Sequence, residues 1–462
     1  MVTDDNEQSA DEPAELHLGQ RFHERLSSSA HAVLRAIRVL EDGESIDLFQ
    51  RDPDFDRLRR ITSSYKGSLY RALERRLDGV IKMGGVSVIT QRDLMSVVHS
   101  VWATNVSRLS KKENAVLSGA IGNPGAGLGE LATHVGLTYS QTRRALHRLR
   151  SADVLRTIGL LDVERLGLER ILVRFESPGS VLYGPYVENV LFVDGKHAIV
   201  FLTLTVPRDH LKELLNTIRG LRGEARSVTA WRLSKGRPRF NDLYYNERSG
   251  RWHVDLFHWR LLLRAGGSGL IIGSNPSQSS LGQRRFTIAE LEVLDELLCN
   301  YDATAQEIVK ETGLSESTAF RKKSKLIQEV IQPRAQVNIP VLRDRLLAVL
   351  DETAAGDFMP AWGALPLTYV SLIENLENRR EKKILLLSAL PAGQAIQLIN
   401  VLNEEKSLAD DVTAYPVVAG SRSRIKADRI TWDYNPALYD TCSYESAREG
   451  CESGSGIPID LA

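Results

Sequence analysis

Apolar residues recur at helical spacing through Phe22–Leu40 and again through Leu69–Ile81, which predicts a helical N-terminal region. Val86–Ile89 fits either helix or strand. Glu113–Ile121 reads as a short helix, the glycines between 122 and 127 break it, and Leu128–Val135 forms a second. Gly136 turns the chain and Thr138 begins a third helix. Residues 168–176 and 188–206 are rich in Val, Ile, Leu and Phe and predict strands. Pro207 ends the last of these and opens a helix to Leu221, and Val228–Leu233 reads as a further strand. The stretch 234–270 is mixed, with Trp252, His253, His258 and Trp259 close together. Residues 273–285 are rich in Gly, Ser, Asn and Pro and read as a linker. Beyond them the order restarts, with helices over Phe286–Asn300, Ala305–Thr312 and Ser315–Val330 and a turn at Gly313. A strand over Ile384–Leu390, a helix from Pro391 to Asn403 and a strand over Val412–Val418 complete the second series.

The two series superimpose. Gly136-Leu137 matches Gly313-Leu314 at an offset of 177, which also carries Leu149 onto Leu326. Pro207 matches Pro391 at an offset of 184, and at that offset Val228-Thr229-Ala230-Trp231 falls on Val412-Thr413-Ala414-Tyr415. One insertion of seven residues reconciles the two. A chain with two related units can imitate a symmetric dimer internally.

The segment from Leu128 to Arg156 carries the clearest chemistry. Leu131, Ala132 and Val135 share a face of its first helix, and Gly136 suits a turn that needs positive φ. Thr138 is a good N-cap and Gln141 completes a capping box. Thr142, Leu146 and Leu149 form a stripe to bury. The other face then presents Thr138, Tyr139, Ser140, Gln141, Arg143, Arg144, His147 and Arg148, with polar groups for base edges and arginines for phosphates or guanine. The second copy offers Ser315, Ser317, Thr318, Arg321, Lys322 and Lys325. There Lys323 takes the place of Leu146, so that helix is either rotated or packed differently. The segment Ser63–Ile81 faintly echoes the same pattern and reads as a degenerate third helix-turn-helix or as a helical packing module.

Gly136, Leu137, Thr138, Arg144, Leu149, Val154 and Leu155 make the chain resemble winged helix-turn-helix regulators of the Lrp/AsnC family, and Leu160–Leu168 resembles that family's connector. The resemblance covers roughly residues 111–233 and, more weakly, 286–420. It implies an α+β chain with two winged helix-turn-helix domains, each followed by a small ferredoxin-like α/β domain of truncated sensor type. The truncation is expected because only about ten residues, including Pro178, Gly179, Gly184 and Pro185, separate Glu176 from Val187. It further implies double-stranded DNA as partner, room for a small-molecule effector, and either a homodimer or an internal pseudo-dimer.

The expected boundaries are a disordered acidic tail (1–15), a helical region (16–110), a first winged helix (111–160) and its sensor-like domain (161–272). The linker (273–285), a second winged helix (286–335), its sensor-like domain (336–439) and a disordered tail (440–462) follow.

Composition narrows the function. The net charge is zero, so a nucleic-acid site must be local; Thr138–Arg156 has five arginines against one acid, and 321–325 reads RKKSK. Three cysteines, Cys299, Cys442 and Cys451, exclude a disulfide framework and a four-cysteine zinc site. Arg260 and Arg264 interrupt the most apolar run, and the acidic N-terminus is unlike a secretory signal, so a cytoplasmic protein without a membrane span is expected. The Gly-rich stretches lack a phosphate-loop context. His253 and His258 beside Asp255 could bind metal, and Tyr244-Tyr245 beside Arg237 and Arg239 could stack on bases; packing roles weigh more for both. No catalytic constellation can be assembled, so the sequence reads as no enzyme, without metal or cofactor. The leading function is a sequence-specific DNA-binding transcription regulator. The alternative is a winged-helix protein-interaction scaffold with little affinity for DNA.

Overall fold

The computed structural model describes residues 24–43, 53–82, 88–221, 225–267, 286–405, 411–423 and 435–452. The expected acidic tail over 1–15 and the linker over 273–285 lie outside them. The chain divides into two compact units, Met1–Arg108 and Leu109–Ala462.

The described part of the first unit is helical: α1 (Ser28–Glu41), α2 (Pro53–Ser64), α3 (Leu69–Lys82) and α4 (Gln91–Val106). Leu34, Ile37, Leu58, Leu69, Leu73, Leu77, Leu94 and Val98 meet in one core, each from the apolar stripe of its helix. Thr90 and Asp93 form a capping box at the start of α4. The Glu41 carboxylate accepts from the Ser68 hydroxyl (2.8 Å) and the Tyr70 amide (3.1 Å), capping α3 from another helix. Gly67, at φ +95°, turns the chain between α2 and α3.

The second unit opens with α5 (Lys111–Gly122), α6 (Leu128–Val135) and α7 (Tyr139–Ser151). Strands β1 (Leu155–Leu161), β2 (Leu168–Glu176), β3 (Ser180–Tyr183), β4 (Val187–Val193) and β5 (Ile199–Pro207) follow. Then come α8 (Leu211–Gly220), β6 (Ser227–Leu233), β7 (Arg237–Phe240), the short β8 (Tyr245–Asn246) and β9 (Arg251–Trp252), and α9 (Leu256–Ala265). The second series has α10 (Ile288–Cys299), α11 (Ala305–Thr312), α12 (Glu316–Glu329), β10 (Ile331–Val337) and β11 (Asp344–Asp351). It continues through α13 (Ala355–Gly363), β12 (Leu367–Asn375), β13 (Lys382–Leu390), α14 (Gln394–Glu404) and β14 (Val412–Arg422). β15 (Asp440–Ser443) and α15 (Tyr444–Glu452) end the described chain.

Eight strands close into a ring in the order β13-β11-β14-β4-β5-β2-β6-β12, with β12 returning to β13 and β7 attached to β12. Each half contributes four strands in the same relative order, and the halves meet where β6 pairs with β12 and β14 with β4. The ring leaves those strands no free edge. β1 and β10, one from each series, pair antiparallel as a separate ribbon centred on Ile158 and Arg334. The connector after β1 crosses to the other series: Leu166 and Leu168 are buried with Val293, Leu294, Ile308 and Leu326.

Gly159 shows how tightly the ribbon is seated. A Cβ there would lie 2.5 Å from the Leu297 carbonyl oxygen and 2.8 Å from Ile331 Cγ2. Backbone cannot yield as a side chain can, so Gly159→Ala is expected to destabilise the second unit by about 1–3 kcal/mol. A urea midpoint unchanged from that of the parent would show that β1 does not press against α10.

The helix expected to be shortened or absent before β4 is absent, and the chain forms β3 there, which pairs with β15. One expectation changes. Residues 440–462, read from composition as a disordered tail, are corrected in part. β15 and α15 are ordered because Tyr444, Ala447 and Cys451 bury apolar surface against the core that holds Phe192 and Val181.

Candidate nucleic-acid interface

The candidate face is built around α7. Gly136 adopts φ +66°, ending α6, and its counterpart Gly313 adopts φ +71° after α11. At Thr138 the side chain accepts from the Gln141 amide, and Gln141 Oε1 accepts from the Thr138 amide, both at 3.3 Å. Thr138 and Gln141 are therefore engaged in the capping box. Thr142, Ala145 and Leu149 are the buried side chains of α7, while Leu146 is only half-buried.

On the opposite side Tyr139, Ser140, Arg143, Arg144 and His147 are exposed. Arg144 Nε donates back to the Ser140 carbonyl at 3.3 Å, which leaves its terminal nitrogens at the surface. The other arginines of the segment are engaged. Arg148 is turned onto Glu113 of α5, with 17% of its side chain and 7% of the Glu113 side chain exposed. Arg150 pairs with Asp302 of the second series and Arg156 with Asp153. Arg148 is thus an interior support of α7 rather than part of its outer face.

The second copy is built alike and dressed differently. Lys325 stands 3.7 Å from Glu290 of α10, repeating Arg148 and Glu113 at the offset of 177. Lys322 donates to the Thr287 hydroxyl at 3.2 Å. Ser315 caps α12, accepting from the Thr318 amide and donating to its hydroxyl at 2.8 Å. Ser317 and Arg321 remain exposed. The helix is not rotated by Lys323, whose ammonium reaches out to the Ala303 carbonyl while Ala319 and Leu326 keep the buried stripe. Glu316, absent from the candidate residues, holds the place of Tyr139, and Phe320, 64% exposed, holds that of Arg143. The offset already contained both substitutions.

Against known proteins, no family model matches and no curated protein matches. The crystal structure of the siroheme decarboxylase NirDL is similar at 14% identity, covering 68% of this chain and 94% of that one, with a TM-score of 0.32. The same enzyme with an iron-uroporphyrin III analogue scores alike, at 66% and 90% coverage. The structure of PH0061 matches at 21% identity over 28% of this chain and 93% of its own, with a TM-score of 0.21.

The likeness is distant. It carries neither the Lrp/AsnC family nor a duplicated helix-turn-helix unit over to this chain. It does correct one expectation: the reading of the chain as no enzyme is withdrawn, because the solved structures it is similar to include a decarboxylase.

The His- and Trp-containing stretch makes side-chain contacts of its own. Tyr244 is buried in the core of the second half and meets His258 Nδ1 at 3.3 Å. Tyr245 packs against Trp252 with centroids 4.8 Å apart. Gln394 Nε2 lies 3.1 Å from His253 Nδ1. Among the described residues no three His, Cys, Asp or Glu side chains are grouped to hold a metal, and no helix is long and apolar enough to cross a membrane.

Proposed function

We propose that the chain is a sequence-specific transcription regulator that binds double-stranded DNA, with α7 lying in a major groove. One observation carries this reading: Tyr139, Ser140, Arg143, Arg144 and His147 are exposed together on a helix that contains no acidic residue. Hydroxyls in the first turn suit base edges, and the arginines behind them suit phosphates or guanine.

The duplicated winged-helix and ferredoxin-like architecture belongs to the same reading. It is supported by the equal strand order of the two halves and by the β1–β10 ribbon between them. Closure of the ring within one chain favours an internal pseudo-dimer, offering two helices to successive grooves about 34 Å apart. Because α12 carries Glu316 and Phe320 where α7 carries Tyr139 and Arg143, the two half-sites should differ.

A protein-docking role has its own support at α12. An exposed Phe320 with an acid one turn earlier suits a protein surface better than a phosphate backbone.

The test is selection of bound sequences from random duplexes by the purified full chain, followed by a salt titration. An asymmetric consensus is expected, and roughly three to five phosphate contacts give a log–log salt slope of about −3 to −4.5. No enriched sequence and no retention on heparin would turn the assignment to the scaffold.

A further inference from the structure

The inside of the strand ring carries polar groups that DNA binding does not use. Along a strand, alternate residues face opposite sides. In the first half Ile171, Val173, Leu202 and Leu204 belong to the outer core under the helices, so Arg170, Leu172 and Thr203 face inward. Asn189 lies opposite Thr203 in register, and Trp231 opposite Leu172. In the second half Leu346 and Ala348 belong to the outer core, which puts Arg345 inside. Arg170 precedes Ile171 as Arg345 precedes Leu346, so the duplication sends one arginine from each half into the same end of the ring.

These groups are enclosed and poorly matched. Asn189 is 1% exposed and Thr203 0%, yet among the described residues neither the Asn189 amide nor the Thr203 hydroxyl has a hydrogen-bond partner. The Trp231 indole nitrogen is likewise buried without an acceptor among those residues. Arg345 is buried and its guanidinium donates to the carbonyls of Leu342 and Asp344, at 2.5 and 3.0 Å. Burial pushes that guanidinium down to about 10, against the attraction of Tyr369 and Asp344. Arg334 stands over the Tyr369 ring, 5.4 Å from its centroid. Glu188, 3.3 Å from Arg170, partly offsets the charge.

Desolvated cations next to an unpaired amide and hydroxyl are costly when the space between them is left without a partner. A small oxyanion would accept from all of them, and rings of eight strands are either filled by their own side chains or hold one small ligand. We propose that this end of the ring is a binding site for a small carboxylate or phosphate, held by Arg170 and Arg345 with Asn189 and Thr203.

The experiment uses the full chain without DNA. Calorimetric titration and thermal unfolding are carried out with inorganic phosphate, acetate and succinate, each against chloride at equal ionic strength. Saturable binding of at least one oxyanion is expected, with a rise in Tm of roughly 2 °C or more at saturation. A response to phosphate alone assigns a phosphate ligand, and one to acetate or succinate a carboxylate. The double variant Asn189→Leu, Thr203→Val should fold with an equal or higher Tm in chloride, because it removes unpaired polar groups, while its affinity for the oxyanion falls at least tenfold. Should it fail to fold, Thr203→Val alone carries the same comparison. Absence of saturable binding, or unchanged affinity in the folded variant, would overturn the site and leave a hydrated polar pocket.

Discussion

Replacing Arg143 and Arg144 together with Ala is expected to weaken binding of the selected duplex by roughly a hundredfold, close to 3 kcal/mol. Both side chains are exposed on α7, and their positive charge faces no acid on their own helix. Each lost phosphate contact should also flatten the log–log salt slope by about 0.9, so the double variant should lose nearly two units of slope. Folding stability should stay within about 0.5 kcal/mol of the parent, because neither side chain is buried. Fluorescence anisotropy at several salt concentrations, beside a urea titration, reads both quantities. Equal affinity and slope in parent and variant would remove α7 as the reader of DNA.

The largest expected change in stability lies about one turn further along the same helix, where Arg148 is turned inward. Arg148→Met should destabilise the second unit by about 3 kcal/mol, because it strips a buried carboxylate of its counter-charge. Glu113 keeps its capping bonds to the Ser110 amide (2.7 Å) and hydroxyl (2.9 Å), which holds the loss toward the lower end for a broken buried pair. The equivalent change in the other series, Lys325→Met, should cost less than about 1 kcal/mol, since Lys325 is 54% exposed and stands 3.7 Å from Glu290. The double variant Glu113→Gln, Arg148→Met should recover part of the loss, and the cycle isolates the coupling between the two groups. If Arg148→Met left the unfolding midpoint in place but flattened the salt slope, Arg148 would belong to the DNA-facing side after all.

The amino-acid sequence alone determined what rests on neighbours three or four residues apart. Gly136 and Gly313 end their helices, Thr138 caps the next one through Gln141, and the two series recur at offsets of 177 and 184, because caps, turns and apolar stripes are local. Tertiary structure decided which cations of α7 stay at the surface: Arg148 is drawn inward by a carboxylate 35 positions earlier and Arg150 is tied to an aspartate 152 positions later. It likewise decided the closure of the ring, the order at β15 and α15, and the burial of Arg170 and Arg345. Each of these depends on pairing between segments far apart in the chain. Such pairings form only when strands and helices from both halves remove one another's apolar surface from water.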